Sequence, residues 1–88
     1  MVRASEWSVY IIEACDGSLY TGITTDVERR FDEHSNPAKG ARYFRGRKPK
    51  RVVYTEKQPD RGTALRREAG IKKLTRELKL ELIRRGND

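Results

Sequence analysis

The sequence predicts an α+β domain, with helices packed against a small antiparallel sheet in the order ββαβαα. Three observations carry that expectation. Two stretches rich in β-branched and aromatic residues, "WSVYIIEA" and "SLYTGIT", flank the turn signal "CDG". A third such stretch, "RVVYTE", stands apart from them. The remaining apolar residues recur at helical spacing behind capping residues. Eighty-eight residues can enclose one core but not two, so residues 1–88 are expected to form a single domain.

Residues 7–23 read as a β-hairpin, and its turn decides where two tyrosines point. Side chains alternate between faces along a strand, so a two-residue Asp16-Gly17 turn sets Tyr10 and Tyr20 on opposite faces. A three-residue Cys15-Asp16-Gly17 loop, with the glycine left-handed, pairs Ala14 with Ser18 instead. Ile12 then faces Tyr20, Tyr10 faces Gly22, and both phenols share one side. The residues themselves allow either turn.

Asp26 is placed to cap a helix whose periodic residues are Val27, Phe31 and His34, ending near "SNP" at 35–37. Arg30 falls at the edge of that stripe, four residues before the single histidine, while Arg29 faces away. Residues 38–50 are basic and glycine-punctuated, which predicts a loop. Residues 51–56 form the third strand, and "KQPDRG" breaks it. A helix follows over 61–73, and Thr75 caps a last one over 76–85 that Gly86 stops. In the helix over 61–73, Ala64, Leu65, Ala69 and Ile71 define an apolar face, with Glu68 projecting from its middle. An inward carboxylate needs a partner. Arg30, Arg61 and a metal ion are the candidates.

The net charge of +7 points to polyanionic partners, with nucleic acid ahead of an anionic membrane surface. The segment "KGARYFRGRKPKR" concentrates that charge: Lys39, Arg42, Arg45, Arg47, Lys48, Lys50 and Arg51 are expected to follow phosphates. Tyr43 and Phe44, interleaved among them, either stack on bases or tuck under as core. No apolar run approaches the roughly 20 residues of a membrane span, and "MVRASEW" lacks the apolar segment of a signal peptide. One cysteine, Cys15, excludes an internal disulfide, and with one histidine a structural zinc site is excluded too. A reducing cytoplasm is the expected location.

"VY" at 9–10, "YTG" at 20–22, Arg30, His34 and the downstream Glu68 together resemble the GIY-YIG nuclease domain, nearest its short single-domain bacterial members. The resemblance runs from about Trp7 to Ile83. It implies a three-stranded antiparallel sheet flanked by helices, and metal-dependent phosphodiester hydrolysis. It further implies that Glu68 holds one Mg²⁺ or Mn²⁺ ion and that Arg30 stabilises charge on the scissile phosphate. Tyr10 becomes the general base, Tyr20 orients water or phosphate, and His34 assists by hydrogen bonding or proton transfer. The first motif here is Ser8-Val9-Tyr10, Thr21 replaces isoleucine in the second, and Ile23 stands where some relatives carry a lysine. The expected substrate is DNA, structured or damaged, ahead of RNA, with a protein partner supplying target choice. The competing expectations are a non-catalytic nucleic-acid-binding module and an adaptor for a larger repair or processing protein.

Overall fold

Strand β1, Trp7–Ala14, is the middle of a three-stranded antiparallel sheet in a computed structural model that describes residues 6–86. Strand β2, Leu19–Thr24, lies on one side of it and β3, Pro49–Gln58, on the other. Helix α1, Val27–His34, follows β2; α2, Arg61–Lys72, and α3, Arg76–Gly86, follow β3. The order is ββαβαα, as the sequence pattern predicts. No helix among the described residues is long and apolar enough to cross a membrane.

The central position of β1 explains its composition. Val9, Tyr10, Ile11 and Ile12 are all buried, because both faces of this strand are covered. On one face Tyr10, Ile12 and Ala14 pack with Tyr20, Val27, Phe31 and Phe44. On the other, Val9 and Ile11 pack with Tyr54, Ala64 and Ile71 beneath α2. Alternation along one strand therefore feeds two separate apolar clusters.

The hairpin adopts the three-residue loop. Gly17 has φ 87°, the left-handed conformation that glycine tolerates best. The Gly17 N–H donates to the Ala14 carbonyl at 2.9 Å, and the Ala14 N–H donates to the Ser18 carbonyl at 2.9 Å. Ile12 stands opposite Tyr20 and Tyr10 opposite Gly22, so both phenols share the face that α1 covers.

Asp26 caps α1 by accepting from the Arg29 N–H at 3.0 Å, and the Thr75 hydroxyl accepts from the Leu78 N–H at 3.2 Å ahead of α3. Asp60 does the same for α2, accepting from the Thr63 N–H at 2.8 Å.

Several boundaries differ from the sequence expectation. Strand β3 covers 49–58 instead of 51–56, because Pro49 can open a strand without a rung to lose. The break begins at Pro59. A register shift between Ile11 and Ile12 leaves Val53 as the extra residue of a bulge. The basic loop contains a 3-10 turn, Arg42–Phe44. On α2 only Ala64 and Ile71 are buried; Leu65 and Ala69 lie on the exposed flank. Helix α3 includes Gly86, whose missing side chain lets the helix end lie against the Tyr54 ring.

Candidate active site

Tyr10 rises from the middle of β1 and is 1% exposed. Its neighbour across the pair is Gly22, where a Cβ would stand 2.5 Å from the Tyr10 hydroxyl oxygen. The glycine is thus required by the close approach of the phenol. Tyr20 lies beside it, with ring centroids 6.2 Å apart. His34, the last residue of α1, is driven inward by the helix period and closes the group. Its Nε2 is 2.9 Å from the Tyr10 hydroxyl, and its ring centroid is 5.2 Å from that of Tyr20. Phe44 packs against the imidazole from the far side at 4.6 Å.

The second imidazole nitrogen identifies the tautomer. The Ala41 N–H donates to Nδ1 at 3.1 Å, so Nδ1 carries no proton in the neutral ring. Nε2 then carries it and donates to the Tyr10 oxygen. Burial first, and then the Arg30 charge, pull the His34 pKa down to about 4 against the opposing pull of Glu33. At neutral pH the imidazole is uncharged.

Arg30 sits one turn earlier on α1. Its Nη1 donates to Glu33 Oε1 at 2.8 Å and to the Lys39 carbonyl at 3.3 Å, which holds the guanidinium beside the phenol. Burial holds the Tyr10 pKa well above the ordinary phenol value, and Tyr20 adds to this. Arg30 opposes both by charge and hydrogen bonding, whereas Glu68 raises the value further.

Four of the five expected residues therefore meet: Tyr10, Tyr20, Arg30 and His34. Glu68 acts at longer range. It occupies the middle of the buried stripe of α2, with its side chain 16% exposed, and influences Tyr10 through charge. Its ion-pair partner is Lys72 at 3.4 Å, neither Arg30 nor Arg61. The i, i+4 spacing on one helix makes that pairing easy. The described residues contain no group of three or more histidine, cysteine, aspartate or glutamate side chains that could hold a metal ion. A single half-buried carboxylate does fit a hard ion that keeps most of its water and takes further oxygens from a phosphate.

The expected phosphate-binding residues are all exposed: Lys39, Arg42, Arg45, Arg47, Lys48, Lys50 and Arg51. Two are already engaged. Arg47 pairs with Asp16 at 3.1 Å and lies 4.4 Å over the Tyr43 ring, and Arg51 pairs with Glu13 at 2.9 Å. Among the described residues Arg42, Arg45, Lys48 and Lys50 have no ion-pair partner. Phe44 belongs to the core at 4% exposure, which removes it as a platform for bases. Tyr43 is half-buried between Tyr20, Phe44 and Arg47.

Sequence reasoning missed Glu33, the Lys39 carbonyl and the Ala41 N–H. Glu33 had a legible signal, its i+3 spacing from Arg30. The two main-chain groups had none, since side-chain patterns do not report where a loop backbone returns.

Comparison with known proteins agrees with this architecture. Residues 6–81 match the model of the GIY-YIG catalytic domain. The chain is 54% identical over 80 residues to a UPF0213 protein of Haloquadratum walsbyi, covering 91% of this chain and 89% of the relative. It is 50% identical over 78 residues to a UPF0213 protein of Desulfotalea psychrophila, covering 89% and 71%. The solution NMR structure of the UPF0213 protein BH0048 from Bacillus halodurans is 47% identical, with a TM-score of 0.56, covering 89% of this chain and 82% of that one. The motif tyrosines on two paired strands, with arginine and histidine on the helix after them, thus stand in a chain that belongs to the GIY-YIG family.

Proposed function

We propose that this protein is a metal-dependent endonuclease that hydrolyses phosphodiester bonds in DNA, structured or damaged, in preference to RNA. Target choice is assigned to a protein partner, and the working compartment to the cytoplasm. The observation that carries the reading is the convergence of Tyr10, Tyr20, Arg30 and His34, with the Tyr10 hydroxyl bonded to His34 Nε2 at 2.9 Å. A binding surface alone has no need of a buried phenol supplied with a donor and a neighbouring cation.

In this reading Tyr10 is the general base. A phenol with a raised pKa is a poor base until nearby charge stabilises its ionised form. The His34 Nε2–H and the Arg30 guanidinium supply that stabilisation. A Mg²⁺ or Mn²⁺ ion held by Glu68 would polarise a phosphoryl oxygen and ease departure of the leaving oxygen. With that ion bound, the Glu68 carboxylate would oppose ionisation of Tyr10 less. The phenolate takes a proton from the attacking water, whose oxygen forms the new bond to phosphorus as the bond from phosphorus to the leaving oxygen breaks. That oxygen departs as an alkoxide that takes up a proton from solvent. Tyr20 orients that water or the phosphate. Arg30, 30% exposed and held by Glu33, faces the developing phosphate charge.

The test is cleavage of labelled single-stranded, duplex, flap and branched DNA and RNA with Mg²⁺ or Mn²⁺. Wild type runs beside Glu68→Gln and Arg30→Ala prepared identically. Cutting by wild type, with loss of about 100-fold or more in each variant, is expected. Equal cutting by all three overturns the assignment. Salt-sensitive binding without cutting by any of them favours the non-catalytic module, a reading supported by Arg42, Arg45, Lys48 and Lys50, which have no ion-pair partner among the described residues.

A further inference from the structure

The chain leaves α1 at His34, turns at Ser35–Ala38 and comes back across the end of the helix. Three consecutive residues meet the site there through main-chain atoms, beside the packing of the Ala41 side chain on the Tyr10 cluster. The Lys39 carbonyl accepts from Arg30 Nη1 at 3.3 Å. The Ala41 N–H donates to His34 Nδ1 at 3.1 Å. Gly40, between them, is pressed onto α1 itself: a Cβ there would stand 2.6 Å from His34 Cα and 2.9 Å from the Glu33 carbonyl oxygen. The return is anchored from behind, because the N–H groups of Lys39 and Gly40 both donate to the Asn36 carbonyl, at 3.0 and 2.9 Å.

We infer that the backbone of Lys39-Gly40-Ala41 is a positioning clip that fixes His34 in its Nε2–H tautomer and holds Arg30 beside Tyr10. The catalytic consequence rests on the endonuclease reading, but the tautomer does not. A neutral imidazole has one donor and one acceptor. With Nδ1 occupied by the Ala41 N–H, only Nε2 can donate, and its target is the Tyr10 oxygen. The opposite tautomer would present a bare Nε2, which would take the phenol as donor and lock up the proton that must leave. A loop backbone thus selects which way the Tyr10–His34 hydrogen bond runs.

Gly40 is the residue on which the clip depends, and for a reason of space. Positive φ among the described residues occurs only at Gly17 and Gly46, so Gly40 is not held in the left-handed region. Alanine at this position is free of that conformational penalty but collides with main-chain atoms of α1, which cannot rotate away as a side-chain tip does. The segment must lift, and both hydrogen bonds lengthen together. Gly70 is the matched control, a helical glycine with open space where its Cβ would go.

The chain has one histidine, so ¹⁵N NMR of the imidazole reports on a single ring. Wild type near pH 7 is expected to show a protonated Nε2 and a bare Nδ1. Gly40→Ala is expected to show a mixed or reversed pattern, while Gly70→Ala keeps the wild-type one. In the cleavage assay Gly40→Ala is expected to lower kcat at least tenfold with nucleic-acid KM little changed, and Gly70→Ala to cut normally. A wild-type Nδ1–H ring overturns the clip, whether or not the protein cuts and whether or not Gly40→Ala folds. A folded Gly40→Ala with the wild-type ring pattern and rate overturns it as well. Absence of cutting by wild type, with the expected tautomer present and lost in Gly40→Ala, removes the nuclease reading and leaves the clip standing.

Discussion

The Tyr10 phenol rests against the Cα of Gly22 on one side and His34 Nε2 on another, with almost no exposed surface. A methyl group at residue 22 has nowhere to go except into the phenol. Gly22→Ala is therefore expected to displace the Tyr10 oxygen, destabilise the fold by about 1–3 kcal/mol and reduce cleavage on the order of 100-fold. Urea unfolding and the cleavage assay read the two effects separately, and unchanged cleavage would contradict the placement of Tyr10. His34 makes a different prediction, about pH. Its folded pKa is about 4 against roughly 6.5 for an unperturbed histidine, so the unfolded chain takes up its proton first as pH falls. The stability due to its neutral form is complete above about 6.5 and is lost progressively down to about 4, amounting to about 3 kcal/mol. Comparing urea midpoints of wild type and His34→Gln from pH 7.5 to 4.5 checks this. The variant should vary less over that window, and an equally flat wild type would refute it.

At the level of the elements, the hairpin turn determines whether the site exists. Cys15, Asp16 and Gly17 make an odd-numbered loop, so Tyr20 returns on the same face as Tyr10. Deleting Asp16 shortens the loop to an even number and offers β2 a choice. Either it inverts, sending Tyr20 to the opposite face, or it slips its register and moves Gly22 away from Tyr10. Both outcomes are expected to abolish cleavage while leaving a folded protein of lower stability, checked by circular dichroism beside the cleavage assay. Glycine as the third loop residue made the three-residue turn legible, but "DG" is also a good two-residue turn, so residue types alone could not decide. The helix starts were legible because Asp26 and Thr75 carry their capping oxygens in the sequence. Glu68 was legible as an inward carboxylate, since Ala64 and Ile71 flank it at helical spacing, while its partner was not. Lys72 competes locally with every distant cation, and a salt bridge across the fold leaves no pattern in the chain. Phe44 was ambiguous for the same reason: burial in a loop has no period to read.

On the scale of the whole molecule, the positive charge is unevenly employed. Arg47 ties the basic loop to Asp16 in the hairpin turn, the Cys15 N–H donates to the Lys48 carbonyl at 2.8 Å, and Arg51, where that segment enters β3, pairs with its cross-strand neighbour Glu13. These contacts fix the segment, while Arg42, Arg45, Lys48 and Lys50 are exposed with no ion-pair partner among the described residues. Replacing those four by glutamine is expected to make the slope of log affinity against log salt for duplex DNA shallower by about 3 to 4. A titration of binding between low and moderate salt measures it, and an unchanged slope would mean that nucleic acid binds elsewhere.

Strand β1 carries Tyr10 through the centre of the sheet, bonded on both sides and covered on both faces. The amides flanking that tyrosine therefore have no route to solvent short of dismantling the sheet, and they should exchange their hydrogens with the slowest class in the protein. The Lys39–Ala41 crossing has far less to break and should exchange earlier, in an opening that leaves the sheet intact. Warming short of the melting transition would accordingly silence the protein reversibly, by unlatching the imidazole while the phenol is still in place.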